Sequence, residues 1–289
     1  LPNNSNLIQF PRLFAAFVLA VFFAFPLCAQ KNTNGSAPEV NASDSISEFM
    51  LRGAVMSLAA VQSKYESLEA GSGGNQILSR QKSGEAQNYF NQSRSFYRKA
   101  LVYDSLYAPA WNSLGTTYFL QDLPEQSLPF YRKAFSINPK YSVAVLNTGK
   151  AFYKMNKMDS ALFYFEKSVK VDSSYVAGYI EQARLLSDIK KDNKSALQVL
   201  NASLKYCGQN ETPLLMISEI HFQQGDSIAA VAAIESAARL NPGNIERTEF
   251  LASWFERHGN PEKAKEFRLI AERERNRIAP REKDHESTK

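Results

Sequence analysis

Residues 111–139 read WNSLGTTYFLQDLPEQSLPFYRKAFSINP, and their spacing recurs down the chain. Gly115, Gly149, Ala183, Ser218 and Ala252 follow one another at steps of 34, 34, 35 and 34 residues. A second row of small residues, Ser127, Ala161, Ala196, Ala230 and Ala264, steps by 34, 35, 34 and 34. Ala134, Ser168, Ser203, Ala237 and Ala271 repeat those steps. All three rows place one extra residue in the same region, read as a turn over 187–194 (SDIKKDNK). Five units result: 108–141, 142–175, 176–210, 211–244 and 245–278. A fixed period of this length marks one supersecondary unit stacked on copies of itself.

Each unit reads as two helices. Asn138-Pro139 and Asn241-Pro242 close second helices, because proline cannot continue one. Asp226 and Asn260-Pro261 read as N-caps, the latter with proline preset at the first helical position. The third unit departs most: it lacks the tryptophan, glycine and proline, and Cys207-Gly208 ends it.

Trp111, Leu114, Gly115, Tyr118, Tyr131, Ala134 and Pro139 occupy the signature positions of one tetratricopeptide repeat, with Ser127 where alanine is usual. The chain therefore resembles a tetratricopeptide-repeat protein of an exported bacterial type. The resemblance implies an all-α superhelical solenoid of antiparallel helix pairs. Small residues at Gly115 and Ala134 would let the helices approach, with Trp111, Tyr118 and Tyr131 filling the remaining space.

In this family the first helix of each repeat lines a concave groove. Carried over slot by slot, the groove takes Asn112, Thr116 and Phe119 from the first repeat and Asn147, Lys150 and Tyr153 from the second. Ile180, Arg184 and Ser187 come from the third, Leu215, Glu219 and Phe222 from the fourth, and Glu249, Ser253 and Glu256 from the fifth. Polar and aromatic groups suit an extended peptide or a partner helix. Lys150 and Arg184 make its centre basic and the glutamates its far end acidic, so a partner of complementary charge order is expected. The carboxylate clamp of the family's co-chaperones finds Asn147 in its middle slot, but Ala177 and Glu181 stand where its Lys and Arg belong. That clamp is not supported.

Ahead of the repeats, residues 1–29 read as an export signal: Arg12, the apolar run 13–25, Pro26, then the small residue Ala29. The run is short for a membrane span, which needs roughly 20 apolar residues. Residues 12–29 as an uncleaved inner-membrane anchor are the alternative. Residues 30–44 read as a flexible spacer, poor in large apolar residues. Ser45-Ile46-Ser47-Glu48 looks like a capping box opening a helix to about Leu68. A second helix is expected over 84–103, where Ser93, Tyr97 and Ala100 stand 34 residues before Ser127, Tyr131 and Ala134. The region 45–107 is thus a candidate degenerate repeat. At the other end residues 279–289 read as a disordered tail.

The formal charge is +5, with acid and base intermixed and no basic stripe or base-stacking module, so nucleic acid is not an expected partner. Two cysteines, Cys28 and Cys207, leave one after leader removal and no internal disulfide. No His-Glu-x-x-His, Gly-x-Ser-x-Gly, Walker loop or paired-cysteine motif occurs, and the three histidines are scattered. His221 stands in the slot of Tyr118 and Phe152, a packing position. No catalytic, cofactor or metal residue is assigned. The functional expectation is a non-catalytic scaffold of the bacterial envelope, periplasmic or envelope-associated, binding a protein or peptide. The alternatives are an anchored structural component, or an accessory that brings substrate to a separate enzyme.

Overall fold

Why the slots recur is visible in how the helices touch. The computed structural model describes residues 42–286, with side chains to residue 277. The leader and the spacer up to residue 41 lie outside them. Twelve α-helices and no strand are found among the described residues. They are α1 (Ala42–Ser72), α2 (Gln76–Tyr103), α3 (Ala108–Leu120), α4 (Pro124–Ile137), α5 (Ser142–Lys154) and α6 (Met158–Val171). There follow α7 (Val176–Arg184), α8 (Asn193–Tyr206), α9 (Glu211–Gln223), α10 (Ser227–Leu240), α11 (Ile245–Arg257) and α12 (Pro261–Glu286). Consecutive helices pair antiparallel, and the pairs stack into a solenoid. No described helix is long and apolar enough to cross a membrane.

The core is a chain of clusters, each bridging neighbouring repeats. Ala108, Ala134 and Ala144 join the first two; Leu146, Ala161, Phe165 and Leu185 join the second and third. Ala183, Leu200, Ile217 and Ile220 continue into the fourth, and Val231, Leu251, Phe255 and Phe267 close the fifth. Each large apolar side chain so buried contributes about 1.5–3 kcal/mol. A repeat removed from its neighbours would expose half of its cluster, which is why the units are stable only as a stack.

Within a repeat the first-helix small slot meets a side chain of the second helix. A Cβ on Gly115 would stand 2.7 Å from the Tyr131 ring, and one on Gly149 2.6 Å from the Phe165 ring. Alanine takes the slot in the third repeat, where the opposing residue is the aliphatic Leu200 of the same cluster.

The same pair occurs ahead of the first repeat. A Cβ on Gly53 would lie 2.4 Å from the Tyr97 ring, and Phe49 stacks on Phe96 as Trp111 does on Phe130. The two helices over 42–103 therefore share the glycine–ring and ring–ring contacts of the first repeat. Gly53 precedes Ser93 by 40 residues where Gly115 precedes Ser127 by 12, and the 28 extra divide equally between the helices. Each runs four turns, about 21 Å, beyond the point where the other repeats turn back. The seam of this overhang is built from small residues, including Ala60, Ser63 and Ala86. Ser67 Oγ donates to Ser79 O across it at 2.8 Å. The helix expected from residue 84 begins at Gln76, capped by Asn75, whose Oδ1 accepts from Leu78 N. The first helix begins at Ala42, three residues ahead of the expected capping box.

Four turns share one geometry: a left-handed residue, then the N-cap position. Asp122, Asn156, Gly225 and Gly259 have φ of 64°, 59°, 79° and 73°. Each stands seven residues after the small slot of its first helix. Lys191 (φ 57°) is the equivalent in the third repeat, eight residues after Ala183. The turn is unchanged, so the extra residue belongs to the helix before it. There the winding widens into a π-helical turn, Leu185–Ile189, with Lys190 N bonded to Leu185 O at 3.1 Å. The loop insertion expected over 187–194 is corrected accordingly: a one-residue insertion near a helix end is absorbed by i→i+5 bonding rather than by lengthening the turn.

The caps expected at Asp226 and Asn260 form, accepting from Ala229 N and Lys263 N. At the carboxyl end α12 runs past Pro280 to Glu286, where a tail was expected. Arg281, Glu282 and Lys283 are good helix formers, and proline removes only one of the bonds that carry a long helix.

Candidate binding groove

The groove positions come from the first helices, α3, α5, α7, α9 and α11, and from the turn after α7. Asn112 is buried, 8% exposed, and its Oδ1 accepts from Asn147 Nδ2 at 2.9 Å. It therefore positions Asn147 rather than meeting a ligand. Thr116 Oγ1 bonds back to Asn112 O and accepts from Tyr131 OH at 3.4 Å. Burial pushes that phenol up to about 12, so it remains a donor. Ser187, expected in the groove, is corrected: the π-helical turn draws it inside, 6% exposed, where its Oγ donates to Asn193 Oδ1.

What remains open is aromatic and charged. Tyr153 and Phe222 are 40% and 42% exposed, and Phe119 is half-buried. Lys150 Nζ and Arg184 Nη1 each reach a different oxygen of Glu181 at 3.1 Å. One turn along α5, Lys154 pairs with Asp122 and lies 4.7 Å over the Phe119 ring. Lys64, from the overhang of α1, pairs with the same Asp122 and donates to Leu120 O at 2.8 Å. Lys154 and Lys64 hold the Asp122 carboxyl below the usual carboxylate range. Two carboxylates thus carry two cations each, and the strip keeps an excess of two positive charges.

Sequence reasoning found Lys150 and Arg184 and noted Glu181 only as a mismatch to the clamp, not as the acid that joins them. Lys64, Asp122 and Lys154 were missed as well. The spacing of Lys150 and Lys154, four apart on one helix, was the available signal. At the far end the expected acidity is largely cancelled: Glu249 pairs with Arg275 and Glu256 with Arg268, both supplied by α12. Glu219 stays exposed, with no ion pair among the described residues. Ile180 and Leu215 are half-buried, and Ser253 is exposed.

His221 lies half-buried in its packing slot, 3.9 Å from Asp226 Oδ2, and His258 stacks on Trp254 at a centroid distance of 3.9 Å. No group of three or more His, Cys, Asp or Glu side chains placed to hold a metal occurs among the described residues.

Residues 108–141, 144–175 and 213–244 match the model of the tetratricopeptide repeat. The chain contains tetratricopeptide repeats. The matched repeats are the first, second and fourth; the third and fifth share their helix-pair packing without matching the model. Among solved structures the chain is similar to YrrB, described as a tetratricopeptide-repeat protein with an unusual peptide-binding site. That match is 17% identical, covers 56% of this chain and 83% of that one, and has a TM-score of 0.42. PilF of Pseudomonas aeruginosa is 22% identical over 73% of this chain and 99% of that one, TM-score 0.45. MamA from Desulfovibrio magneticus RS-1 is 16% identical over 58% and 95%, TM-score 0.42. No curated protein matches the chain.

Proposed function

We propose that the protein is a non-catalytic scaffold that holds a peptide or helix of a partner protein along the first helices of its repeats. The observation that carries this reading is the strip of Lys64, Lys154, Lys150 and Arg184 on only two carboxylates, beside exposed Tyr153. Stacked repeats give a long continuous surface, and convergent cations with aromatic rings recognise an extended, partly acidic chain. Rim ion pairs of this kind set partner choice and association rate more than affinity, so binding weakens as salt rises.

The leader-like residues 1–29 support export, and with it a partner in the bacterial envelope. An anchored form would keep the same groove.

A photo-crosslinking residue at Tyr153, with adducts identified by mass spectrometry, tests the groove. A defined adduct is expected, lost when Lys150→Glu and Arg184→Glu are introduced together. Adducts that survive that double change would overturn the reading. So would adducts formed only from Lys167 on α6, a second helix.

A further inference from the structure

One pair of groove slots changes character along the solenoid. The two lie one and five residues after the small residue of a first helix. On α5 they hold Lys150 and Lys154, and on α3 Thr116 and Leu120. Gly53 sets the same register on α1, where they hold Ala54 and Leu58. Leu51, Val61, Tyr65 and Leu68 share that side of α1 at steps of three and four residues, and none of the six is charged. Leu51, Tyr65 and Leu68 are 51%, 39% and 66% exposed, and Ala54 is exposed. This apolar side adjoins the cation strip. Lys64, at its edge, reaches Leu120 O and the Asp122 that Lys154 also holds. The face thus runs from apolar on α1, through neutral on α3, to cationic on α5 and α7.

We infer that the segment held in the groove is apolar at one end and acidic at the other. This rests on the groove reading above and specifies its ligand. A chain bound at Arg184 that follows the first helices passes Lys150 and Lys154, and then Ala54 and Leu58. The four cations exceed their two carboxylates by two charges, so two acidic side chains of the ligand complete the balance. On the apolar side of α1 the gain comes instead from burying uncharged surface. The same side of a second α1 could cover that surface, but it brings no carboxylate to the strip. Helix α1 touches α3 and α3 touches α5, each step being about 8–10 Å. An extended chain advances about 3.3 Å per residue, so its apolar and acidic groups stand about five or six residues apart.

The test uses fluorescein-labelled peptides that carry Leu-Phe-Leu, a Gly-Ser spacer and Glu-Asp-Glu, made in both orders. They are titrated with the full chain and followed by anisotropy. The two-block peptide is expected to bind about tenfold tighter than peptides with either block replaced by serine. The best spacer should set the blocks about five or six residues apart. Leu51→Gln, Ala54→Gln and Tyr65→Gln together, all at exposed positions, should remove the gain from the apolar block. Circular dichroism should show the fold intact, and binding of the acidic block should persist. Lys150→Glu with Arg184→Glu should remove the contribution of the acidic block. If the acidic block alone binds as tightly as both and still depends on Lys150 and Arg184, the groove reading stands and this inference fails. If the two-block peptide is indifferent to Lys150→Glu with Arg184→Glu, or if no peptide binds, both fail. An apolar gain that survives the triple substitution on α1 would overturn the inference. So would a dimer that the triple substitution splits and the two-block peptide does not, which gives the stripe to a second copy.

Discussion

Gly149→Ala is the sharpest probe of how the helix pairs are built. The new methyl carbon would stand 2.6 and 2.7 Å from Cδ1 and Cε1 of Phe165, and 3.2 Å from Ala161 O. Phe165 is 2% exposed and its ring is enclosed by the cluster joining the second and third repeats, so it has little room to withdraw. Overpacking of this kind costs about 1–3 kcal/mol, and a contact with ring and backbone together belongs at the upper end. Replacing a helical glycine by alanine returns about 0.8–1 kcal/mol of helix propensity. The net expectation is a loss of about 2 kcal/mol. For a chain of this size that lowers the melting temperature by about 4–8 °C. Phe165→Leu alone costs about 1–2 kcal/mol, because it removes ring carbons from a buried site and leaves a small void. The double variant recreates the Ala183 and Leu200 pair of the third repeat, so the two losses should not add. A coupling of about 2 kcal/mol is expected from the four-member cycle, measured by thermal and urea unfolding followed by circular dichroism. A neutral or stabilising Gly149→Ala would refute the reasoning, and so would strict additivity of the two changes.

Deleting Asp188, an exposed residue of the π-helical turn, restores the 34-residue step; the melt should stay within about 2 °C of the parent, since no buried group leaves. Deleting Lys154 from the regular helix α5 should instead unfold its repeat, and equal losses for the two deletions would discredit the placement of the insertion. Glu235 joins α10 to α12 through Lys263 at 2.8 Å and holds Arg239 at 3.0 Å. Burial opposes its ionisation, yet these two cations outweigh it and its carboxyl sits below the usual range. The contribution is therefore fully present above the unfolded glutamate value, about 4.3, and is lost as pH falls through the lower folded value. Glu235→Gln should lower the melting temperature at pH 7 by about 2–6 °C and flatten its fall below pH 4.5. An unaltered pH profile would count against this assignment.

The period was legible because packing wrote it into single residues. The slots of Gly115, Ser127 and Ala134 tolerate only small residues, and so glycine, alanine or serine recurs in them at fixed steps. Gly53 has the same constraint, yet 28 residues inserted between it and Ser93 hid the relation. The seam of that insertion, Ala60, Ser63 and Ala86, carries little hydropathy and reads as a poor core. It works only because small residues let two helices approach closely. The π-helical turn left its trace as a 35-residue step, but periodicity locates an insertion only between slots. It took the left-handed residue at Lys191 to assign the insertion to the helix. In the groove, cations were legible and their partners were not. Glu181 and Asp122 meet lysines of other repeats through the lateral spacing of helices, which no single unit encodes.

The overhang is expected to open before the inner repeats do. In the inner repeats a backbone hydrogen bond is shielded by helices before and after it in the stack. Beyond the first turn-back, α1 and α2 shield mainly one another, and Lys64 is a side-chain tie from there to the next repeat. Opening the distal turns forfeits small-residue contacts and few large apolar ones, so its free energy lies far below that of global unfolding. Amide protons near Gly71 and Gly84 are expected to be less protected than those of the inner repeats. Among the described residues the glycine turn between Gly73 and Gly74 is expected to be an early site of proteolysis. Structure is lost from the tip inward, and the solenoid behind it keeps its shape while that happens.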